Sequence, residues 1–269
     1  MPTVALNTIP QDGTFFGLFV GESGSGKTTA AASFPKPILI IDVDRRAKGI
    51  NGSPWINTEG IDVHYVDGKD ILADIEKLLN EFEVNKRSFK YKTIIFDGFT
   101  SAAMLLIDNA FSLTSTMTGR KAQGHPKIGV VEVPGRDEYM YEQQGFKNLM
   151  TGLKYGLKCN VICTAHWVDV YSQEEGKQAV VIGKRINLRA KVLPTVAIWF
   201  DEVYYFEKEM AKRPDPVTKM PVEYEKHTVW FRNELARTTI AALPNKTDIS
   251  AIPLWPILEK YHVIKEETK

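Results

Sequence analysis

Cysteine is nearly absent: the chain has two, Cys159 and Cys163, and only five histidines, none of them paired at metal-ligand spacing. That excludes a disulfide-stapled fold and a cysteine–histidine metal cluster. The two thiols, four residues apart around an expected strand start, read as reduced and packed. No signal peptide is visible, and no apolar run approaches the eighteen or so residues of a membrane span, so a cytoplasmic protein without membrane association is expected. A dominant sign of charge is missing too. The 34 Lys and Arg residues nearly balance 33 Asp and Glu, leaving +1, so any nucleic-acid surface must be local. Repeats and low-complexity segments are also lacking. What remains, 269 residues that are 43% hydrophobic and 25% charged, suits one large α/β domain or a core with a small appendage.

The most specific stretch present is residues 15–44, FFGLFVGESGSGKTTAAASFPKPILIIDVD. A short apolar strand runs into Gly21, which opens the pattern G-x-x-x-x-G-K-T that Gly26, Lys27 and Thr28 close. Backbone N–H groups in such a loop curl around an anion, Lys27 reaches the β and γ phosphates, and the Thr28 hydroxyl is placed to ligate Mg²⁺. Ala30, Ala31 and Ala32 continue as helix, so the loop sits at the positive end of a helix dipole. Every residue from Gly21 through Glu22, Ser23, Gly24, Ser25, Gly26, Lys27 and Thr28 to Thr29 is therefore expected to bind a nucleoside triphosphate.

Strand and helix patterns alternate along the rest of the chain. PILIID (37–42), IDVHYVD (61–67), KTIIFDG (92–98) and NVICTAH (160–166) read as strands. VAIWFDEVYYF (196–206) and HTVWFRNE (227–234) add later ones. Helices are expected after residue 70, over 100–111 and from 139 to 157. Residues 113–136 lose periodicity and gain Gly, Pro, Ser and Thr, which marks a long loop insertion. The fold class that follows is α/β, a mainly parallel sheet with helices on both faces and late antiparallel strands. The expected core is residues 1–242, with 243–269 a Pro-interrupted tail packing on or extending it.

Hydrolysis requires a second acid at the end of a buried strand beside the cradle to hold Mg²⁺ or its water shell, and Asp97 in TIIFD fits. Thr28 and Asp97 are thus the expected metal-side residues. IIDVD offers a water-orienting base at Asp44, on the same face of an extended chain as Asp42. If Asp44 is not the base, Glu22 in the loop is the next candidate.

GESGSGKTT, IIDVD, TIIFDG and VICTAH, in that order, resemble the RecA-type recombination ATPases, most closely the compact phage members among single-strand annealing and recombination proteins. The resemblance covers about residues 14–206, with a weaker element at FRNELAR. It implies a RecA-like P-loop fold and ATP with Mg²⁺ as cofactors. It further implies a γ-phosphate sensor at Thr164 or His166. Asp44 stands where the family has Glu, one methylene shorter. The resemblance also implies single-stranded DNA on one of two loops and assembly into a homo-oligomeric ring or filament. The segment 113–136 is the first candidate loop, with Arg120, Lys121, Lys127 and Arg136 against Glu132 alone. The second is the hairpin from Trp167 to Arg185, where Trp167 and Tyr171 offer stacking platforms and Glu174 and Glu175 oppose phosphate. Within the monomer only Lys27 is expected to supply cationic charge at the γ-phosphate. A neighbour's Arg185 is therefore the candidate to complete the site, with Lys184, Arg189 and Lys191 as competitors.

Asn245-Lys246-Thr247-Asp248 matches a guanine-reading motif, but it lies far beyond Asp97 and lacks the companion D-x-x-G, so ATP is the expected nucleotide. The expected function is Mg²⁺-dependent ATP hydrolysis in DNA recombination or annealing. Three rivals stay open: a helicase or loader-type motor, a small-molecule kinase with a lid at residues 118–127, and a nucleotide-gated binding module with weak hydrolysis.

Overall fold

The computed structural model describes residues 14–66, 71–84, 90–116, 127–128, 131–172, 179–189, 196, 198–216 and 218–262. Its centre is an eight-stranded sheet. The parallel strands are β1 (Phe16–Gly21), β2 (Ile38–Asp42), β3 (Ile61–Tyr65), β4 (Thr93–Asp97), β7 (Asn160–Ala165) and β10 (Glu202–Pro214). β11 (Pro221–Trp230) and β12 (Lys246–Asp248) extend it antiparallel beyond β10, giving the spatial order β12-β11-β10-β1-β7-β4-β2-β3. β7 lies between the strand that delivers the phosphate loop and the strand that ends in Asp97.

Strands buried on both faces show near-continuous apolar runs, and successive side chains feed opposite layers. Leu18, Val20, Leu39, Ile41, Ile94 and Phe96 join one core layer. Helices α2 (Ile71–Val84), α3 (Phe99–Thr116) and α4 (Arg136–Gly156) cover that side, through residues such as Ile75, Leu106 and Phe146. Phe19, Ile38, Ile40, Ile95 and Ile162 join the other layer, against the short helix α1 (Lys27–Ala31) and the C-terminal helix α5 (Leu254–His262). Both cysteines are buried free thiols in the first layer, and burial pushes Cys159 up to about 12.

Several expected boundaries change. The strand expected from residue 196 starts later: Val196, Ile198 and Trp199 are helical, and β10 begins at Glu202. The expected loop insertion at 113–136 is shorter, because α3 runs to Thr116 and a small hairpin, β5 (Lys127–Ile128) with β6 (Val131–Glu132), precedes α4. Arg120 and Lys121 lie outside the described residues, as do Glu174, Glu175 and Lys191. The segment after Leu243 contributes β12 to the sheet, and α5 packs on α1 with Leu254 and Leu258 fully buried. No helix among the described residues is long and apolar enough to cross a membrane.

Candidate active site

β1 is buried along its whole length and releases the chain into the loop 21–26 at the C-terminal edge of the sheet. Gly26 caps α1 with φ +91, a left-handed conformation that a side chain would strain, so the pattern's second glycine is dictated by the backbone. Lys27 follows with only 6% exposure. Its Nζ donates to the carbonyl oxygens of Gly21 at 3.0 Å and Glu22 at 2.6 Å, which holds the ammonium inside the loop. Burial pulls its pKa down to about 8, although Asp97, Asp44 and Glu22 attract the charge.

Thr28 and Asp97, 69 residues apart, meet. The Thr28 hydroxyl donates to the Asp97 carboxylate at 3.0 and 3.2 Å. Thr164, on the intervening β7, donates to Asp97 Oδ1 at 2.5 Å and accepts from the Gly98 N–H at 3.0 Å. Burial raises the Asp97 pKa against these two hydroxyl donors, and the nearby carboxylates of Asp42 and Asp44 raise it further. A hydroxyl and a carboxylate in contact, with more acids close by, form the hard-oxygen donor set that suits Mg²⁺.

The two acids of IIDVD separate. Asp42 is fully buried and accepts the N–H groups of Arg46 at 3.1 Å and Ala47 at 2.8 Å, capping the 3-10 turn over residues 47–52. Asp44 lies past the strand end. Its Oδ2 is 3.9 Å from His166 Nε2. Burial opposes its ionisation, but the neighbouring His166, Ser101 and Arg46 outweigh that and hold its carboxyl below the usual value. Gly98 makes room for it: a Cβ there would lie 2.9 Å from Asp44 Oδ1, at φ +107. His166 also places Nδ1 3.3 Å from the Gly21 carbonyl, so it touches both phosphate loop and acid. Both sensor candidates line the cavity described below, but the Thr164 hydroxyl is committed to Asp97 and Gly98.

One cavity of about 700 Å³ gathers Lys27, Thr28, Asp44, Asp97 and His166. Its remaining walls were not foreseen from the sequence. The loop carrying Trp55 and Ile56 forms one side, and Ile249, Ile252 and Pro253, just after β12, form another. His227 on β11 reaches the loop, with Nδ1 3.2 Å from the Ser25 carbonyl. The motif at 245–248 overlaps the edge strand β12, Lys246–Asp248, but the residues that follow it reach this cavity instead of lying remote from it. Arg46 lines the cavity as well, so Lys27 is not the sole cation of the monomer's site.

Arg185 does not line this cavity. It sits exposed on β9 (Val181–Ile186), paired with Val168 of β8 (Trp167–Tyr171), and among the described residues its guanidinium has no partner. Two of its competitors, Lys184 and Arg189, are engaged within the chain. Lys184 donates to the Tyr205 hydroxyl at 2.9 Å and lies 4.0 Å above the Trp167 ring, and Arg189 stacks on Tyr139 near Glu142. Trp167 is thereby covered, while Tyr171 stays 52% exposed.

A family model described as an AAA domain matches residues 16–236, from the first strand to just before the Arg237 bridge to β10. Among solved structures, the flagellar accessory protein FlaH from Methanocaldococcus jannaschii is similar at a TM-score of 0.43 and 13% identity, over 88% of this chain and 86% of that one. No curated protein matches the sequence.

Proposed function

The chain belongs to the AAA domain family, a P-loop nucleotide-binding group, and on that premise we propose that it binds ATP with Mg²⁺ and hydrolyses it. The observation that carries this reading is the convergence of Lys27, the Thr28–Asp97 pair and the Asp44–His166 pair on one cavity. Thr28 and Asp97 would hold Mg²⁺ directly or through its water shell, and the bound ion would neutralise charge on the β and γ phosphates. Lys27 exchanges its two carbonyl partners for phosphate oxygens. Asp44, ionised at neutral pH, takes the proton of the attacking water. The water oxygen bonds to the γ-phosphorus as the bond to the β–γ bridging oxygen breaks. ADP leaves with that electron pair, and the proton passes from Asp44 to the released phosphate. His166, between the Gly21 carbonyl and Asp44, orients the base and senses whether the γ position is filled.

The biological setting we propose is RecA-like: recombination or annealing on single-stranded DNA, by a homo-oligomer in which a neighbour's Arg185 completes the site. Its support is the order of the motifs, the basic residues in the sequence between α3 and α4, and the exposed Arg185, whose guanidinium has no partner among the described residues. The test is the ATPase rate with and without single-stranded DNA. Stimulation without strand separation supports recombination or annealing over a helicase. Phosphate transfer to a soluble acceptor, with no response to DNA, would replace this setting with that of a kinase.

A further inference from the structure

We propose that Arg46 is a catalytic residue acting within its own subunit, its guanidinium bonding the γ-phosphate from the side of the cradle opposite Lys27; the proposal rests on the ATP-hydrolysis reading. Two arginines follow Asp44, and the backbone sends them apart. Arg45 adopts φ +56 and its Nη2 donates to the Val66 carbonyl at 3.5 Å, away from the cavity. Arg46 turns toward the cavity, which it lines, and its Nη1 donates to Ser23 Oγ at 3.4 Å.

The placement is built rather than incidental. The Arg46 N–H is held by the fully buried Asp42 carboxylate at 3.1 Å, and the adjacent Ala47 N–H by the same group at 2.8 Å. The side chain therefore leaves a fixed point at the end of a central strand. Ser23 is at the crown of the phosphate loop, four residues before Lys27, so the guanidinium hangs over the open end of the cradle. Arg46 lines the same cavity as Lys27 and Asp44, around the volume that a γ-phosphate and its attacking water would occupy, and its charge adds to the effect of His166 and Ser101 in holding Asp44 ionised.

The chemistry fits that position. Phosphoryl transfer spreads negative charge over the γ oxygens, and a planar fork of donors binds two of them at once. Arg46 is exposed, so its weak contact with Ser23 yields at little cost when a stronger acceptor arrives. Arginines in this role contribute about 10³-fold or more to the rate.

The test compares wild type with Arg46→Ala and Arg46→Lys in single-turnover MgATP hydrolysis and in equilibrium binding of MgATP and MgADP. Arg46→Ala should slow hydrolysis about 10³-fold and lose the preference for ATP over ADP, while ADP affinity stays within about threefold. Arg46→Lys should recover only part of the rate, because it keeps the charge and loses the fork. Mixing Arg46→Ala with Lys27→Ala should restore nothing, since each site needs both residues from one chain. Rescue in that mixture would place Arg46 in a neighbour's site and overturn the proposal. So would an Arg46→Ala rate and ATP affinity equal to wild type. The ADP arm separates the two levels: a wild-type chain that binds no ADP removes the nucleotide reading itself, whereas normal ADP binding with no effect of Arg46→Ala removes only the role of Arg46.

Discussion

Lys27 should take up a proton when nucleotide binds, in a pH window set by its burial. With 6% exposure its pKa falls from 10.5 to about 8, because the charged form loses water and regains it only partly from two carbonyls and the distant acids. At pH 8.5 about three quarters of the free protein would carry a neutral Lys27, and at pH 7.0 about a tenth. Polyphosphate restores the full charge, so MgATP binding should take up about three quarters of a proton at pH 8.5 and about a tenth at pH 7.0. The sign for stability is opposite to that for affinity. The unfolded lysine keeps its proton up to 10.5 and the folded one releases it above about 8, so the lysine's penalty on the free fold eases as pH rises from 8 to 10.5. Nucleotide affinity weakens over the same window. Titration calorimetry at pH 8.5, in two buffers of different ionisation enthalpy, reads the proton directly, and Lys27→Arg, whose charge does not titrate, is the control. Equal heats in the two buffers at pH 8.5 would refute the coupling between burial of Lys27 and phosphate binding.

Asp44→Asn should leave MgATP affinity within a few fold and slow the chemical step by about 10²–10⁴, measured in single turnover; a wild-type rate would move the base elsewhere, with Glu22 next to be tested. Asp97→Asn should raise the Mg²⁺ concentration needed for half-maximal hydrolysis about tenfold or more, and an unchanged Mg²⁺ titration would remove Asp97 from the metal side. Gly98→Ala meets Asp44 Oδ1 at 2.9 Å and a backbone at φ +107, so it should cost about 1–3 kcal/mol and lower Tm by about 2–10 °C, with a slower chemical step. An undisturbed melting curve would show that the Asp44–Gly98 approach is looser than the structure has it.

The features legible in the sequence are those written locally. The phosphate loop is one contiguous pattern, and Asp97 is announced by the four apolar or β-branched residues before it; both sit at strand ends where the sheet opens, as expected. What escaped depends on direction or on distance along the chain. Nothing in Arg45-Arg46 tells which arginine lines the cavity. That follows from Asp42 capping the turn and from the left-handed Arg45, and both require the folded backbone. His227 and Ile249–Leu254 come to the cavity because β11 and β12 extend the sheet past β10, a pairing between segments with no shared local signal. The run at 196–201 misled for a simpler reason. A short apolar stretch looks the same whether it becomes strand or helix, and here the strand starts only at Glu202.

The central claim is that this cavity is an ATP-hydrolysing site built on Lys27. Its most direct test is release of labelled phosphate from γ-labelled MgATP by wild type and by Lys27→Ala, alongside nucleotide binding to each. The account predicts hydrolysis by wild type and loss of tight binding or turnover in Lys27→Ala, with its fold intact by circular dichroism. A folded Lys27→Ala protein that binds and hydrolyses MgATP as wild type does would contradict it.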